Sequence, residues 1–395
     1  MSHQLISRSS HLQRLRNEGY NLDIKGGYLL IRDVPYVNAQ RQVLRGELVM
    51  VLALSADVAV CPPDHTAYFA GDCPCDAQGQ PLVAIINNSS SQVLLPDLTI
   101  NHYFSAKPRA GAYADYYEKV TLYVAMLSGP AQVLEADVTA QTYAPIKAQE
   151  GESVFAYTDT ASSRAGIVTA TEKFKGLKVA IVGLGGTGAY ILDQVSKTPV
   201  SEIHLFDGDV LHQHNAFRYP GAVSFASLER SLTKVEYLYE QFSQLHRGII
   251  RHPCMITEEN VLDLRTFDYV FLSVDRASVR DLVVKALRGT STSLIDVGMG
   301  VHFVNETQQI WGTCRVTTLT ADYHEHAERT LPLTENVAED AYRSNIQIAD
   351  LNGLNAMLAV GMWKRLCGFY TDSSHANHFT YTTHVNELGN SEERE

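Results

Sequence analysis

The alternation of apolar and polar positions in the first part of the chain predicts a mixture of strands and helices. Segments with strand character occur at 28–32, 48–52, 66–69 and 99–104. Residues 113–127 instead repeat apolar and aromatic side chains at helical spacing, and this helix is predicted to stop at 128–130. A polar helix is predicted at 11–18. Residues 1–150 are therefore predicted to form an N-terminal α+β accessory domain.

Beyond a polar link at 141–163, predicted strands alternate with predicted helices. The strands occupy 178–182, 202–206, 249–256, 268–274 and 293–297, and the helices begin near Thr187, Leu228, Asn260 and Ser278. This alternation is typical of a parallel sheet that helices cover on both faces. Residues 151–385 are accordingly predicted to form a Rossmann-like, doubly wound α/β domain with a mostly parallel sheet.

Composition narrows the range of partners and compartments. The 395 residues include 44 acidic and 32 basic side chains, giving a net charge of −12, and the basic residues form no stripe or tail. A nucleic-acid partner is therefore not favoured. The chain has no apolar run of transmembrane length and no signal-peptide core, so we expect a cytoplasmic protein without a membrane partner. Six scattered cysteines fit a reducing compartment.

A glycine-rich turn at 177–190, Leu-Lys-Val-Ala-Ile-Val-Gly-Leu-Gly-Gly-Thr-Gly-Ala-Tyr, joins a predicted buried strand to a helix. Gly183 permits the tight turn, Gly185 lets backbone approach a phosphate, and Gly188 lets the helix pack close to the strand. The helix N-terminus adds unpaired N–H groups and a positive dipole. Asp207, which ends the next predicted strand, is placed to bind a ribose hydroxyl. The pattern predicts a nucleotide site.

Further polar side chains follow the predicted strands in the same domain. They are Asp209, Asn215, Arg218, Lys234 and Asp275. Ligands of open α/β sheets bind at the carboxyl ends of the strands, so we expect these residues to surround one ligand. Hydride transfer has no need of such a set. Two carboxylates with an amide and two cations suit a nucleoside triphosphate and its metal ion.

In this order and register the motifs resemble the ThiF/MoeB superfamily, the adenylating domain shared with ubiquitin-activating enzymes, over about residues 160–370. The resemblance implies that ATP is held by Gly183, Gly185, Gly186, Gly188, Asp207 and Asp209. It implies that the phosphates are bound by Asn215, Arg218 and Lys234, and that Mg²⁺ is held by Asp275. The implied reaction is adenylation of the C-terminal glycine carboxylate of a ubiquitin-like or sulfur-carrier protein, which releases pyrophosphate.

The superfamily also places an arginine-bearing helix ahead of the first strand, where it reaches the nucleotide of a partner subunit. Arg164 occupies this place, so the resemblance implies a catalytic role for Arg164 in a homodimer. The chain departs from the pattern at Tyr219, where relatives usually carry Gln, and at Arg276, where they usually carry Asn. It also lacks the two Cys-x-x-Cys pairs that bind zinc in many relatives, so no zinc site is implied.

The sequence leaves open whether a thioester forms. Ubiquitin-activating relatives pass the acyl group to a cysteine in a segment that corresponds here to 317–345, which contains none. Packed, unreactive side chains are predicted for Cys254, Cys314 and Cys367. Cys73 and Cys75 lie in a predicted exposed turn. That turn is either purely structural or part of a conjugating-enzyme-like module that handles the carrier.

Two other polar features are predicted near the end of the chain. His324 and His326 are predicted to be solvent-exposed and not metal ligands. A helix at 345–360 carries a polar stripe that includes Asn352 and Asn355, and this stripe is predicted to face the substrate tail or water.

Alternative functions remain open at this point. On the same fold, some relatives activate a small molecule or a tRNA base, although a basic patch for tRNA is lacking. A NAD-dependent oxidoreductase would explain the glycine turn and Asp207, but it leaves Arg218, Lys234 and Asp275 without a task. A non-catalytic scaffold would keep the nucleotide fold as a relic, and the retention of the phosphate-binding positions argues against this.

Overall fold

The computed structural model describes residues 2–148, 151, 153–334 and 346–393. The chain divides into two compact units: the first comprises Met1–Ile146 and Asp159–Gly166, and the second Lys147–Thr158 and Ile167–Glu395. The short segment that carries Arg164 thus belongs to the first unit, although the boundary predicted from the sequence assigned it to the second domain. The chain passes between the units more than once.

The first unit is built on an antiparallel sheet. Its strands are β1 (Asn21–Lys25), β2 (Tyr28–Val37), β3 (Val43–Val51), β4 (Leu54–Ser55), β5 (Val58–Ala59), β6 (Thr66–Ala70), β7 (Ile86–Leu95) and β8 (Leu98–Ser105). Its helices are α1 (Ser2–Arg8), α2 (Ser10–Asn17), α3 (Tyr116–Leu134) and α4 (Thr160–Arg164). Among the described residues, six strands form one sheet in the order β1-β2-β3-β6-β8-β7. This is the predicted α+β architecture, with β1 and β7 added.

Helix α3 packs on β2 and supplies much of the core of the first unit. Asp115 caps its N-terminus by accepting from the amide of Glu118 at 2.9 Å. The predicted stop at 128–130 is wrong, because α3 continues through Pro130 to Leu134. Pro130 has no N–H to donate, but the buried side chains on either side, including Leu127, keep this turn packed on the sheet. Tertiary packing therefore overrides the local stop signal.

The second unit is built on a larger, mostly parallel sheet. Its strands are β9 (Lys178–Val182), β10 (Glu202–Phe206), β11 (Ile249–His252), β12 (Tyr269–Leu272), β13 (Ser293–Val304), β14 (Gln309–Leu319), β15 (Ala376–Thr382) and β16 (Glu387–Glu393). Over the described ranges the order is β11-β10-β9-β12-β13-β14-β15-β16, parallel from β11 to β13 and antiparallel from there on. The predicted doubly wound α/β fold is confirmed. Strand β13 is much longer than predicted, since it pairs with β14 along its whole length.

Helices and short 3₁₀ turns cover this sheet. The helices are α5 (Val168–Thr171), α6 (Gly186–Val195), α7 (Gln213–Ala216), α8 (Phe225–Glu229), α9 (Lys234–Phe242), α10 (Ala277–Leu287), α11 (Ala327–Thr330) and α12 (Ala349–Leu366). The 3₁₀ turns are Glu172–Phe174 and Val261–Thr266. Side chains of β9 alternate between the two cores: Ile181 joins the core under α6 and α12, whereas Val182 joins the core under α10. In the ranges given above, none of the helices combines the length and apolar character needed to cross a bilayer.

A buried charge cluster joins β13, β14 and α10. Asp296 is fully buried, and its two carboxylate oxygens accept from Arg280 Nε and from an Arg315 terminal nitrogen, each at 2.7 Å. Arg280 also donates to the carbonyl of Val274 at 2.7 Å, just before the loop that contains Asp275. The cluster therefore fixes the segment that follows β12.

We expect Asp296→Ala to lower the free energy of unfolding by about 3–5 kcal/mol, because it leaves two poorly solvated guanidinium groups without their counter-ion. Urea unfolding followed by circular dichroism measures this loss. The matched control is Arg230→Ala, which breaks the exposed pair with Glu240 and should leave the unfolding midpoint unchanged. Equal effects of the two substitutions would contradict a special role for the buried cluster.

Candidate nucleotide-binding site

Three neighbouring parallel strands end at the same edge of the large sheet. Val182 at the end of β9 is in register with Phe206 of β10 on one side and with Leu272 of β12 on the other. The residues that follow these strands therefore emerge side by side. The glycine loop, the Asp207 segment and the Asp275 segment meet at this edge, as expected for a ligand site in an open α/β sheet.

Neighbouring backbone atoms exclude side chains at two positions of the glycine loop, and a third position has open space. Gly183 has φ +85°, and a Cβ there would lie 2.6 Å from the carbonyl oxygen of Ser273. A Cβ on Gly188 would lie 1.9 Å from the carbonyl oxygen of Gly183. A Cβ on Gly185, in contrast, would meet nothing within 4 Å. The loop is thus packed tightly against the sheet and open at Gly185, where α6 begins.

Asp207 connects the glycine loop to the segment after β10. One carboxylate oxygen accepts from the amide of Leu184 at 2.7 Å, and the other accepts from the amide of Asp209 at 2.8 Å. Lys234 Nζ lies 3.6 Å from the first of these oxygens. Only 6% of the Asp207 side chain is exposed. Its carboxylate therefore organises the loop, and a ribose hydroxyl bound there would share an acceptor that is already hydrogen-bonded.

Lys234 is held at the start of α9 by the residues around it. Thr233 and Glu236 form a capping box, with the Thr233 hydroxyl accepting from the amide of Glu236 at 3.1 Å. Lys234 Nζ donates to Asp209 at 2.6 Å, and its backbone amide donates to the Asp209 carbonyl at 2.9 Å. The Lys234 side chain is 9% exposed, whereas that of Asp209 is 53% exposed. The ammonium group is therefore fixed beside both carboxylates.

Asn215 and Arg218 lie on the segment between Asp209 and α9. Asn215 is buried, and its Oδ1 accepts from the amide of His212 at 2.8 Å, which holds the single turn of α7. Arg218 Nε is buried and has no hydrogen-bond acceptor in the part of the chain that the structure describes. Desolvation, and then the positive charge of Arg218, lowers the pKa of His214. The buried Arg218 Nε, without an acceptor among the described residues, suits an anionic ligand.

Asp275 is exposed in the loop between β12 and α10. It forms no ion pair or hydrogen bond with any side chain in the described ranges, and the same holds for its neighbour Arg276. A solvent-facing carboxylate next to a phosphate site is a suitable ligand for Mg²⁺, which prefers one or two carboxylates together with phosphate oxygens and water. Nowhere in the described residues do three or more His, Cys, Asp or Glu side chains gather in a metal-binding arrangement.

Asn352 is a site residue whose role the sequence did not reveal. Its Oδ1 accepts from the Thr187 hydroxyl at 2.8 Å in the first turn of α6, and a Cβ on Gly186 would lie 2.4 Å from its carboxamide. Asn355 donates to the carbonyl of Gly298 at 3.0 Å. Both asparagines are 1% exposed, so these members of the predicted stripe face protein and not substrate or water. The sequence signal that could have indicated this contact is the pair of asparagines three residues apart, on a helix that packs against a glycine-rich helix.

The cysteines whose pKa is shifted are not activated thiols. Cys314 is fully buried on β14, and burial raises its pKa to about 11. Burial also raises the pKa of Cys367 to about 11. Cys75 is buried with a raised pKa, although its turn was predicted to be exposed, and Cys254 is exposed although it was predicted to be buried. A strand end at His252 accounts for the exposure of Cys254.

The prediction for His326 is also wrong, since this residue is fully buried. Its ring stacks on Tyr323 with a centroid distance of 4.6 Å. The segment folds back onto the sheet because Ala327 and Leu331 join the core under α10. A histidine in a polar stretch was therefore carried inside by its apolar neighbours.

Arg164 lies at the end of α4 in the first unit, where it is exposed and forms no ion pair with described residues. Asp159 caps this helix by accepting from the amides of Ala161 and Ser162 at 2.9 and 3.0 Å. Ser163 links α4 to α2: it accepts from Gln13 Nε2 at 3.2 Å and donates to Asn17 Oδ1 at 2.9 Å. The guanidinium is thus presented from a helix fixed to the first unit.

The fold and the site together define a nucleotide-binding α/β enzyme of the adenylyltransferase type. Comparison with protein families agrees: residues 160–354 match the ThiF family, and residues 10–160 match a domain of unknown function, DUF6791. The second part of the chain is therefore a ThiF family domain, which confirms the resemblance seen in its motifs.

The solved structures that are similar to this chain are distant in sequence. E. coli MccB with ATP is 16% identical, with a TM-score of 0.44, over 59% of this chain and 69% of that one. The microcin C7 biosynthetic enzyme MccB in complex with N-formylated MccA is also 16% identical, with a TM-score of 0.46, over 59% of this chain and 70% of that one. PaaA is 13% identical, with a TM-score of 0.44, over 57% and 75%. No curated protein matches the chain.

Substituting alanine at two loop glycines separates packing from ligand access. Gly188→Ala forces a methyl group into the Gly183 carbonyl, so we expect a loss of about 1–3 kcal/mol in stability together with weaker ATP binding. Gly185→Ala should leave stability unchanged and weaken ATP binding, because the methyl group would enter the open side of the loop. Thermal unfolding and calorimetric titration with ATP test both. Unchanged ATP affinity in Gly185→Ala would show that phosphate does not approach here.

Proposed function

We propose that this enzyme adenylates the C-terminal glycine carboxylate of a ubiquitin-like or sulfur-carrier protein, using ATP and releasing pyrophosphate. The observation that carries the proposal is a buried guanidinium nitrogen without an acceptor in the described ranges, beside an open glycine loop in a ThiF domain. Lys234 is shared by two carboxylates, Arg218 Nε has no acceptor among the described residues, and the helix α6 N-terminus lies beside them. Hydride transfer to a nicotinamide would leave these groups without a task.

In the proposed reaction a carboxylate oxygen of the carrier attacks the α-phosphorus of ATP. The new oxygen–phosphorus bond forms as the bond to the bridging oxygen of pyrophosphate breaks, and pyrophosphate leaves with that electron pair. The attacking carboxylate is already ionised at neutral pH, so the enzyme needs no general base. Positioning by the loop and charge neutralisation by Arg218 and Lys234 supply the catalysis.

Mg²⁺ would be held by Asp275 together with phosphate oxygens, since this exposed carboxylate has no competing cation among the described residues. When bound, the ion would neutralise charge on the departing phosphates. Asp207 would accept a hydrogen bond from a ribose hydroxyl, and Asn215 would keep the Arg218 segment in place. We expect the enzyme to work in the cytoplasm.

A carrier protein that ends in glycine is proposed as the substrate that receives AMP, because the motifs follow the order found in ubiquitin-activating enzymes. The net charge of −12 and the absence of a basic stripe in the sequence argue against a tRNA substrate. None of Cys75, Cys314 and Cys367 has an activated thiol, so we propose that the acyl-adenylate passes to an acceptor other than these cysteines.

ATP–pyrophosphate exchange with purified protein and Mg²⁺, with and without candidate Gly-Gly-ended carriers, tests the proposal. We expect exchange that requires a carrier and falls at least about 100-fold in Asp275→Ala, because the metal ligand is lost. Asp281→Ala is the matched control, since this carboxylate on α10 pairs with Lys285 at the surface and should not affect exchange. Exchange with a small carboxylate and with no carrier would refute the protein substrate.

We further propose that the active form is a homodimer in which Arg164 reaches the nucleotide of the partner copy. Arg164 is exposed and forms no ion pair among the described residues, and its guanidinium lies 5.6 Å from the centroid of the Tyr143 ring. An exposed guanidinium without a carboxylate partner in that part of the chain fits a cation that acts outside its own unit. The hydrogen bonds of Ser163 to α2 would hold α4 rigid for this purpose. The N-terminal unit would then serve the reaction by presenting an arginine.

Mixing two inactive copies tests whether Arg164 acts on the partner. Arg164→Ala and Asp275→Ala subunits should each be inactive, whereas their coexpressed equimolar mixture should recover about a quarter of the wild-type exchange rate, because half of the dimers contain one intact site of two. Size-exclusion chromatography with light scattering checks that dimers form. Activity of the Arg164→Ala protein alone, or no recovery in verified mixed dimers, would refute the proposal.

A further inference from the structure

Tyr219 departs from the usual glutamine and occupies a buried position next to the site. It follows Arg218 directly, and only 3% of it is exposed. Its ring packs near Tyr237 of α9, with the ring centroids 6.3 Å apart. The Tyr219 hydroxyl donates a hydrogen bond to the backbone carbonyl of Leu184. A side chain from the Arg218 segment is therefore bonded to the middle of the glycine loop.

Leu184 is held on both of its backbone polar groups. Its carbonyl accepts from Tyr219, and its amide donates to Asp207 at 2.7 Å. The Leu184 side chain is fully buried in the core under α6. Burial, and then the nearby carboxylate of Asp207, raise the pKa of Tyr219, so the hydroxyl stays protonated and remains a donor. These contacts leave the peptide little freedom to rotate.

The direction of the next amide follows from the planarity of the peptide bond. In a trans peptide the carbonyl of Leu184 and the amide of Gly185 point in opposite directions. Because the carbonyl is bonded to Tyr219, the Gly185 N–H must point away from that ring. This N–H has no acceptor within the described part of the chain, and the side of Gly185 where a Cβ would lie is open. It is available to an anion at the start of α6.

We propose that Tyr219 is a positioning residue for the nucleotide phosphates, acting by fixing the Leu184–Gly185 peptide so that the Gly185 N–H faces the ligand. The inference rests on the proposed function only in requiring that a nucleotide phosphate binds at this loop. Two consecutive residues would then have different tasks: the Arg218 side chain would bind the ligand, and the Tyr219 side chain would hold the loop that surrounds the ligand.

Tyr219→Phe removes one oxygen and keeps the buried ring, so it tests the hydrogen bond alone. We expect the KM for ATP in pyrophosphate exchange to rise about tenfold, with kcat changed less than about twofold, because a preset loop amide binds ground state and transition state alike. The matched control is Tyr237→Phe, whose hydroxyl forms no hydrogen bond with described residues. This control should keep the wild-type KM.

A second readout does not depend on activity. In the protein without nucleotide, hydrogen exchange of the peptide covering 183–188 should be faster in Tyr219→Phe than in wild type or Tyr237→Phe, while exchange of the core strands should not change. Added ATP should slow exchange of this peptide in the wild type. Hydrogen exchange that is accelerated equally in the core strands and the loop of Tyr219→Phe, or a loop unaffected by the substitution, would overturn a local positioning role.

The two measurements separate the failure of one proposal from the failure of the other. Suppose that no carrier supports ATP–pyrophosphate exchange, yet calorimetry shows that ATP binds and that Tyr219→Phe weakens this binding about tenfold. The Tyr219 inference then stands and the carrier proposal fails. If pyrophosphate exchange proceeds, and Tyr219→Phe has the same KM for ATP and the same hydrogen-exchange rates as the wild type, the Tyr219 inference is wrong. The adenylation proposal is then unaffected. Thermal unfolding confirms that each variant is folded.

Discussion

The buried carboxylate of Asp207 is the interaction on which the candidate site depends. Its oxygens hold the amide of Leu184 in the glycine loop and the amide of Asp209 in the next segment, and Lys234 lies at longer range. Three stretches that are distant in sequence therefore share one acceptor. Hydrogen bonds to a charged group are worth about 1.5–3 kcal/mol each, and low exposure limits competition from water. Without this carboxylate, the glycine loop, the Asp209 segment and Lys234 would have no shared partner to hold them together.

Much of this arrangement could be predicted from the sequence because it is local. A buried apolar run followed by glycines at fixed spacing predicts a strand, a turn and a helix, and the structure has them at β9, Gly183 and α6. The alternation of strands and helices predicts a parallel sheet, and parallel strands bring their carboxyl ends to one edge. The positions of Asp207 and Asp275 follow from that rule.

The remaining features depend on contacts between distant segments, which no local pattern records. The run through Pro130 reads as a helix end until the core packing around it is known. His326 and Asn352 are polar, yet apolar neighbours in one case and a glycine contact in the other bury them. Tyr219 stood out in the sequence only as a departure from the usual glutamine. Its bond to the loop became evident only in three dimensions.

The order in which the chain contributes to its two units has a consequence for recombination of the gene. The chain contributes to the first unit, then to the second, then to the first again through 159–166, and finally to the second. No single break in the gene can therefore yield both units whole. A fragment that ends at 146 lacks α4, and a fragment that begins at 159 carries α4 without Gln13 and Asn17. Recombination is thus expected to transmit the pair as one piece and not as exchangeable modules.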